Sequence, residues 1–398
     1  MNIVLTTHGS RGDVQPILAL SRLLQEAGHD VLLAGPPENR AWVESRSVRF
    51  YPVGDDFMAF IARYPDVYTT RPARAILRFL KRETIHQFET FPALFKGADL
   101  VLAASLSFAA ASVCEKMGVP YRFVVFCPQV FRSVHHPCVF AKGHTGSRGW
   151  NWMTWQLDKL ADRILFRPTI NQCRRMIRLP PLHQSSLEHM LGNHPILAAD
   201  NVLSPLPDDV AQSVTRVGNL RLFRSNALSA GIRRFLQEGA PPIYVGFGSM
   251  PHHHPRAVAD MVLRAVRSVG QRLIFACSVE RKVTGDCYLT AESDHTLLFP
   301  RLSAIVHHGG AGTTATASRS GVPQILVPHI LDQFYWARQV RRLGIGPTPI
   351  WRNRLNRRSL QERLSSVLSD TGYGRCAGRV RAALQSERKV DVVAEILS

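Results

Sequence analysis

Residues 302–314 constrain this chain's fold more than any other stretch. An apolar run, Leu302 to Val306, enters His307-His308-Gly309-Gly310-Ala311-Gly312-Thr313-Thr314, and a helix-like sequence follows. A strand, a glycine turn and a helix start in that order belong to a parallel α/β layer. Glycine lets the backbone approach a ligand without Cβ interference, and the unpaired amides and positive dipole end of a helix favour negative charge. The stretch therefore predicts an anion seat suited to a diphosphate, with His308, Thr313 and Thr314 as additional donors and His307 as a neighbour rather than a ligand. It is not a Walker loop, because no Gly-Lys-Ser/Thr closes it, and the Gly-x-Gly-x-x-Gly spacing is absent.

The rest of the chain repeats that grammar. Asn2 to Thr7 reads as a strand, Val14 to Ala27 as a helix and Asp30 to Ala34 as a second strand, with further strands at Leu100 to Ala103 and Arg122 to Phe126. At 398 residues the expectation is two domains. We place an acceptor-side Rossmann-like domain at 1–205, a linker with prolines at its ends at 206–241, a second Rossmann-like domain at 242–375 and a C-terminal tail at 376–398. In open α/β sheets ligands gather at the carboxyl ends of the strands, which is where the first turn, residues 8–13, would point.

A second glycine, strand and proline unit, Gly321 to Pro328, runs into Asp332-Gln333. A carboxylate beside an amide suits vicinal hydroxyls of a sugar, since one accepts and the other both donates and accepts. The same Asp332 also suits an N-cap for a helix beginning near Phe334. Asp13 offers a similar choice between capping a helix that starts near Val14 and projecting a carboxylate into the ligand crevice.

Three segments together resemble the inverting nucleotide-sugar glycosyltransferases of the GT-B fold, in the family of sterol glucosyltransferases and antibiotic glycosyltransferases. They are Gly9-Ser10-Arg11-Gly12-Asp13-Val14-Gln15-Pro16, Gly246-Phe247-Gly248-Ser249-Met250 and the block 299–346, which contains Asp332-Gln333. The resemblance implies two Rossmann-like α/β domains facing across a cleft, and transfer of a hexose from a UDP- or dTDP-sugar to a hydroxyl with inversion. It implies Asp13 as the base, with His8 as the substitute, and Ser10, Arg11 and Gly12 as its loop. The diphosphate falls to Ser249, His308, Gly310, Ala311, Gly312 and Thr313, the sugar to Asp332 and Gln333, and the nucleoside to His295 and Arg301. One departure concerns the base: relatives of the sterol branch carry Pro-His-Asp-Trp where this chain has Asp294-His295-Thr296-Leu297. The resemblance also implies that the tail crosses back onto the first domain.

The region from Tyr51 to Leu182 is expected to shape the acceptor pocket, and Phe57, Phe60, Phe108 and Trp152 suit a flat or greasy molecule such as a sterol, polyketide or other natural product. The stretch Trp150 to Arg178 is amphipathic, and a face buried against the sheet is the alternative to pocket lining. Two other enzyme-independent or related functions fit a nucleotide-sugar site: an epimerase, which would need acid and base groups around the sugar, and a catalytically silent activator of another enzyme.

No Asp-x-Asp pair stands ready to hold Mg²⁺, so no metal or other cofactor is expected. His252-His253-His254 are adjacent loop residues that rarely converge on one ion, and His135-His136 read as surface loop. Seven scattered cysteines without Cys-x-x-Cys spacing suit a reducing cytosol, and neither a signal peptide nor a spanning helix is apparent. A net charge of +19, carried mostly by Arg and densest from Arg338 to Lys389, lacks the stacking aromatics of a nucleic-acid reader. A solvated cationic face or peripheral contact with an anionic membrane explains it instead, in a monomer or homodimer.

Overall fold

The computed structural model describes residues 1–64, 72–141, 146–222, 227–248, 255–277, 281–291, 293–388 and 390–398. It divides into two compact α/β units. The first gathers residues 1–199, 206–222 and 390–398; the second gathers 200–205 and 227–388.

Seven strands make the first sheet: β1 (Asn2–His8), β2 (Asp30–Gly35), β3 (Arg49–Pro52), β4 (Leu100–Ser105), β5 (Tyr121–Val125), β6 (Ile196–Leu197) and β7 (Thr215–Arg216). Their order is β3-β2-β1-β4-β5-β6-β7, and every pairing is parallel. A parallel sheet is covered on both faces, which is why β1 is buried at every position from Ile3 to His8. Helix α1 (Arg11–Glu26) follows β1 and buries Val14, Ile17, Leu18, Leu20 and Leu24 against the sheet. Because the chain leaves β1 toward β2 on one side and reaches β4 on the other, the sheet's switch point lies between β1 and β4. Ligands bind at such points in open α/β sheets.

Between β3 and β4 come α2 (Phe57–Arg63) and α3 (Ala73–Leu94). Between β5 and β6 come α4 (Arg148–Ala161) and α5 (Arg167–Met176), joined by a single π-helical turn, Asp162–Phe166. The last helix, Val392–Leu397, sets Ile396 into the core of this same unit, and Arg122 donates to the carbonyls of Glu395 and Ile396 at 3.1 and 2.8 Å.

The second sheet contains β8 (Ile243–Gly246), β9 (Leu273–Ala276), β10 (Arg281–Thr284), β11 (Cys287–Thr290), β12 (Ala304–His307) and β13 (Gln324–Leu326). Its order is β10-β11-β9-β8-β12-β13, parallel throughout except for β10 against β11. Here the switch point falls between β8 and β12. Helices α6 (Ala311–Ser320) and α7 (Gln333–Arg342) follow β12 and β13.

The segment 206–241 is not one continuous connector. Residues 206–222 add β7 to the first sheet, while the helix Ala230–Gln237 buries Ile232 and Phe235 in the second unit's core. Within 376–398, the helix Thr371–Ser386 stays with the second unit, and residues 390–398 belong to the first. Residues 200–205 also side with the second unit, where buried Asp200 forms a two-pronged ion pair with Arg319 of α6, at 2.6 and 2.5 Å.

Candidate active site

In the first unit, β1 ends in Gly9, whose φ of +140° favours glycine, and Ser10 caps α1. Asp13 is the third helical residue. The backbone N–H and the hydroxyl of Ser10 both donate to its Oδ2, at 2.8 and 3.0 Å, completing a capping box. A Cβ on Gly9 would lie 2.4 Å from that Oδ2, so the carboxylate occupies the space that glycine leaves open. Asp13 is therefore not the cap of a helix starting near Val14: the helix begins at Arg11, Ser10 is its N-cap, and Asp13 closes the capping box from the third helical position.

The other oxygen does something that no local motif announces. Ser105, at the end of β4, donates from its hydroxyl to Asp13 Oδ1 at 2.7 Å, and Ser105 holds a left-handed φ of +52°. A serine in that region carries backbone strain, a cost often found at functional sites. The two residues are 92 apart in sequence and meet at the switch point between β1 and β4. Burial raises the Asp13 carboxyl above its ordinary value, opposed by the hydrogen bonds from Ser105 and Ser10. A buried carboxylate with a raised proton affinity is a candidate general base.

His8 is placed differently. Its ring is buried against Phe91, centroids 6.2 Å apart, with Nδ1 3.9 Å from Glu83 Oε2 and no hydrogen bond at Nε2. Burial, aided by nearby His86, pushes it down to about 3, so it is a neutral ring and a weak proton acceptor at pH 7. Arg11 stacks its guanidinium 4.4 Å over Trp42, and Gly12 is exposed with its N–H on Ser10 Oγ at 3.2 Å.

In the second unit, the turn after β12 is built around His308. A Cβ on Gly248, whose φ is +61°, would lie 2.8 Å from the ring, and one on Gly310 would lie 2.7 Å from its Nε2. Glycine on both sides is what admits the imidazole. Burial pushes His308 down to about 4, partly offset by the Gly246 backbone, although no hydrogen bond of normal geometry reaches the buried Nδ1. Gly310 caps α6 without any side-chain hydrogen bond, leaving the amides of Ala311, Gly312 and Thr313 as an open helix terminus. Thr314 turns its hydroxyl back to the Gly310 carbonyl at 2.9 Å, whereas the Thr313 hydroxyl has no such bond among the described residues.

His307 is a structural residue, as its position beside His308 suggested. One ring nitrogen meets Gln324 Oε1 at 2.9 Å and the other accepts from Gly309 N–H at 3.1 Å, and burial pushes the ring down to about 3. The start of α7 abuts the same turn: a Cβ on Gly309, φ +94°, would lie 3.1 Å from the Gln333 carbonyl. Asp332 does not cap α7 with its side chain; its Oδ2 accepts from the Trp336 indole at 3.0 Å. Gln333 Oε1 accepts from His329 and Ile330 N–H at 2.8 and 3.2 Å, holding the loop that also contains exposed Leu331 at φ +52°.

The remaining expected residues separate. His295 stacks on Phe299 at 4.3 Å and meets the Tyr244 hydroxyl at 3.1 Å, within the second unit's core layer. Arg301 is not brought to the glycine turn. It precedes β12, at the amino ends of the strands, where it lines a cavity of about 500 Å³ with Arg233, Gln237 and Pro241. Phe57 and Phe60 pack on Phe79, centroids 6.1 and 4.1 Å apart, and Phe108 sits edge-on to Phe166 at 4.6 Å. Trp152 departs from the expectation of a pocket wall: it is 57% exposed on the outer face of α4, while its neighbour Trp155 is buried and donates to the His136 carbonyl at 3.1 Å. Ser249 and His252 to His254 lie outside the described residues. His135 stands near Asp208 and Asp209 on the surface, but both Asp209 oxygens already accept from Ser133 and Val134, at 2.7 Å each.

Two nucleotide-type α/β units with these turns define a GT-B glycosyltransferase, and comparison with known proteins agrees. Residues 3–136 match the glycosyltransferase family 28 N-terminal domain, and residues 287–398 match the C-terminal domain of erythromycin biosynthesis protein CIII-like proteins. Glycosyltransferase GtfE of Amycolatopsis orientalis is 35% identical over 88% of this chain and 87% of its own length. Vancomycin aglycone glucosyltransferase of the same organism is 32% identical, covering 99% and 98%. Among solved structures, the glycotransferase of kitacinnamycin aligns over 100% of this chain and 97% of its own with a TM-score of 0.73 at 17% identity, a likeness of fold. The chain belongs to this family of antibiotic glycosyltransferases and is a hexosyltransferase enzyme.

Proposed function

We propose that this enzyme moves a hexose from a UDP- or dTDP-sugar to a hydroxyl of a lipophilic or phenolic small molecule, such as a sterol or polyketide, with inversion at the anomeric carbon. The observation that carries the reading is the Asp13 carboxylate, desolvated at a switch point and gripped by Ser10 and Ser105. The acceptor O–H gives its proton to Asp13 as the oxygen bonds to the anomeric carbon. The bond from that carbon to the diphosphate oxygen breaks, and the diphosphate leaves with the electron pair. Developing negative charge is met by the open amides of α6, the Thr313 hydroxyl and an N–H of neutral His308.

That seat supplies hydrogen bonds and a dipole in place of a divalent cation, so transfer proceeds without metal. Asp332 and Gln333, next to the turn, are assigned to the sugar hydroxyls and His295 to the nucleoside side. The test is incubation of the purified protein with UDP-glucose and dTDP-glucose and a set of phenols and sterols, in the presence of EDTA. The reading requires a glucosylated product whose anomeric configuration by NMR is opposite to that of the donor. Retention, or transfer only when Mg²⁺ is restored, contradicts it.

A further inference from the structure

Helix α4 is built inside out. Its buried face carries Asn151, Thr154 and Trp155, which bond to the 134–138 loop: Asn151 donates to the Val134 carbonyl at 2.8 Å, and Thr154 Oγ1 accepts from Cys138 N–H at 3.0 Å. Its solvent face carries Trp150, Met153, Leu157 and Leu160, continued through the π turn by Ile164. Those positions advance by 3, 4, 3 and 4 residues, which is one stripe of a helix. Their exposure runs from 39% at Trp150 to 62% at Ile164. From Trp150 to Ile164 the stripe is about 21 Å long. An apolar surface of that size on a soluble protein marks an interaction site.

The charges beside it are of one sign. From 146 to 183 the sequence holds two carboxylates, Asp158 and Asp162, and neither is exposed, whereas Arg148, Arg163, Arg175 and Arg178 all are. Arg163 and Arg175 have no ion-pair partner among the described residues. With Arg167 and His183 they line a cavity of about 540 Å³ adjoining the end of the stripe. A second copy of this chain would bring those arginines against their own kind across a twofold axis. A lipophilic small acceptor calls for an apolar concavity, whereas the stripe is the convex surface of a helix and the adjoining cavity is lined mostly by Arg163, Arg167, Arg175, Asn171 and His183. An apolar stripe with tryptophan at one end, flanked by arginine, has the chemistry of an interfacial helix on an anionic bilayer, its apolar side chains in the acyl boundary and its guanidinium groups on lipid phosphates.

We propose that the outward face of α4 and α5 docks the enzyme on an anionic lipid surface through its apolar stripe and the Arg163/Arg175 cavity. The test is flotation of the full chain with vesicles of phosphatidylcholine alone or mixed in equal parts with phosphatidylglycerol. The wild type partitions onto the mixed vesicles, leaves them at high salt, and shifts its tryptophan emission to the blue on binding. The double variant Leu157→Glu/Leu160→Glu loses both signals while keeping the wild-type melting temperature. Arg163→Glu/Arg175→Glu lowers partitioning by at least about 25-fold, at about fivefold per arginine. No partitioning of the wild type, equal partitioning onto phosphatidylcholine, or variants that bind like the wild type overturn the proposal. So does a dimer in sedimentation velocity that the leucine variant dissolves in the absence of lipid binding.

Discussion

Asp13 divides its two oxygens between a local contact and one across the sheet. Oδ2 closes the capping box with Ser10, and Oδ1 is held across the sheet by Ser105. The sequence shows a helix start near residue 13 and offers Asp13 as its cap, whereas Ser10 is the cap and Asp13 its partner three residues on. The Ser105 contact was invisible: a serine that ends an apolar run looks like any strand terminus, and only the sheet order puts it beside residue 13. A sharper sequence reading would ask which hydroxyl ends the strand across the switch point. At this scale Ser105→Ala provides a test. Asp13 must be ionised to accept a proton, so the rate falls as pH drops through its raised value. Removing a hydrogen bond that favours the ionised form raises that value further. The acid limb of kcat/KM therefore moves to higher pH, and kcat at neutral pH falls on the order of tenfold, as for a lost hydrogen bond to a charged group. A uniform loss across pH, with the limb unmoved, contradicts this account.

At the scale of elements, the strand, turn and helix at 304–320 were legible because glycine, apolar run and small polar residues each point to one conformation. The open terminus of α6 can be tested by substitution. Thr313→Val removes a donor and leaves the helix intact, and should weaken binding of UDP or dTDP by about 1 kcal/mol in calorimetry. Gly309→Ala forces a side chain into φ +94° and against the Gln333 carbonyl, and should both destabilise the second unit by about 1–2 kcal/mol and weaken nucleotide binding more than Thr313→Val does. Unchanged nucleotide affinity in both would remove the turn from the donor site. Sequence reading failed at α4 for a physical reason. Trp150 and Trp155 lie on different faces of one helix, and both faces contain large rings, so amphipathicity alone does not say which one is buried. The decision came from polar side chains, Asn151 and Thr154, finding backbone partners in a distant loop. Arg301 lies away from the glycine turn for a related reason: the four residues of β12 separate the amino edge from the carboxyl edge, and a contiguous motif conceals that crossing.

For the whole molecule, burial of neutral imidazoles sets the response to acid. Desolvation pushes His8 and His307 down to about 3, and His189 and His308 to about 4, from an unfolded value of 6.5. As pH falls below 6.5 the unfolded chain takes up protons that the folded chain does not, so stability declines, by up to about 1.4 kcal/mol per pH unit for each ring. Asp158, pushed up to about 6 mainly by burial, acts in the opposite direction below that pH. The loss therefore sets in as pH falls through 6.5 and steepens below it, and the melting temperature should drop between neutral pH and pH 6. A melting temperature that is flat or rising over that interval contradicts the assignment of these rings as neutral. Sequence reading supplied two α/β layers but not the placement of 200–205, which joins the second unit through a contact far apart in the chain, Asp200 with Arg319.

The most direct measurement of the central claim compares Asp13→Asn with the wild type in single-turnover sugar transfer, with nucleotide affinity determined on the same samples. Asparagine retains hydrogen-bonding shape and loses proton acceptance, so transfer should fall about 10²–10⁴-fold while UDP or dTDP affinity stays within about twofold. Transfer at the wild-type rate by Asp13→Asn would show that the carboxylate between Ser10 and Ser105 is a helix cap and not the base.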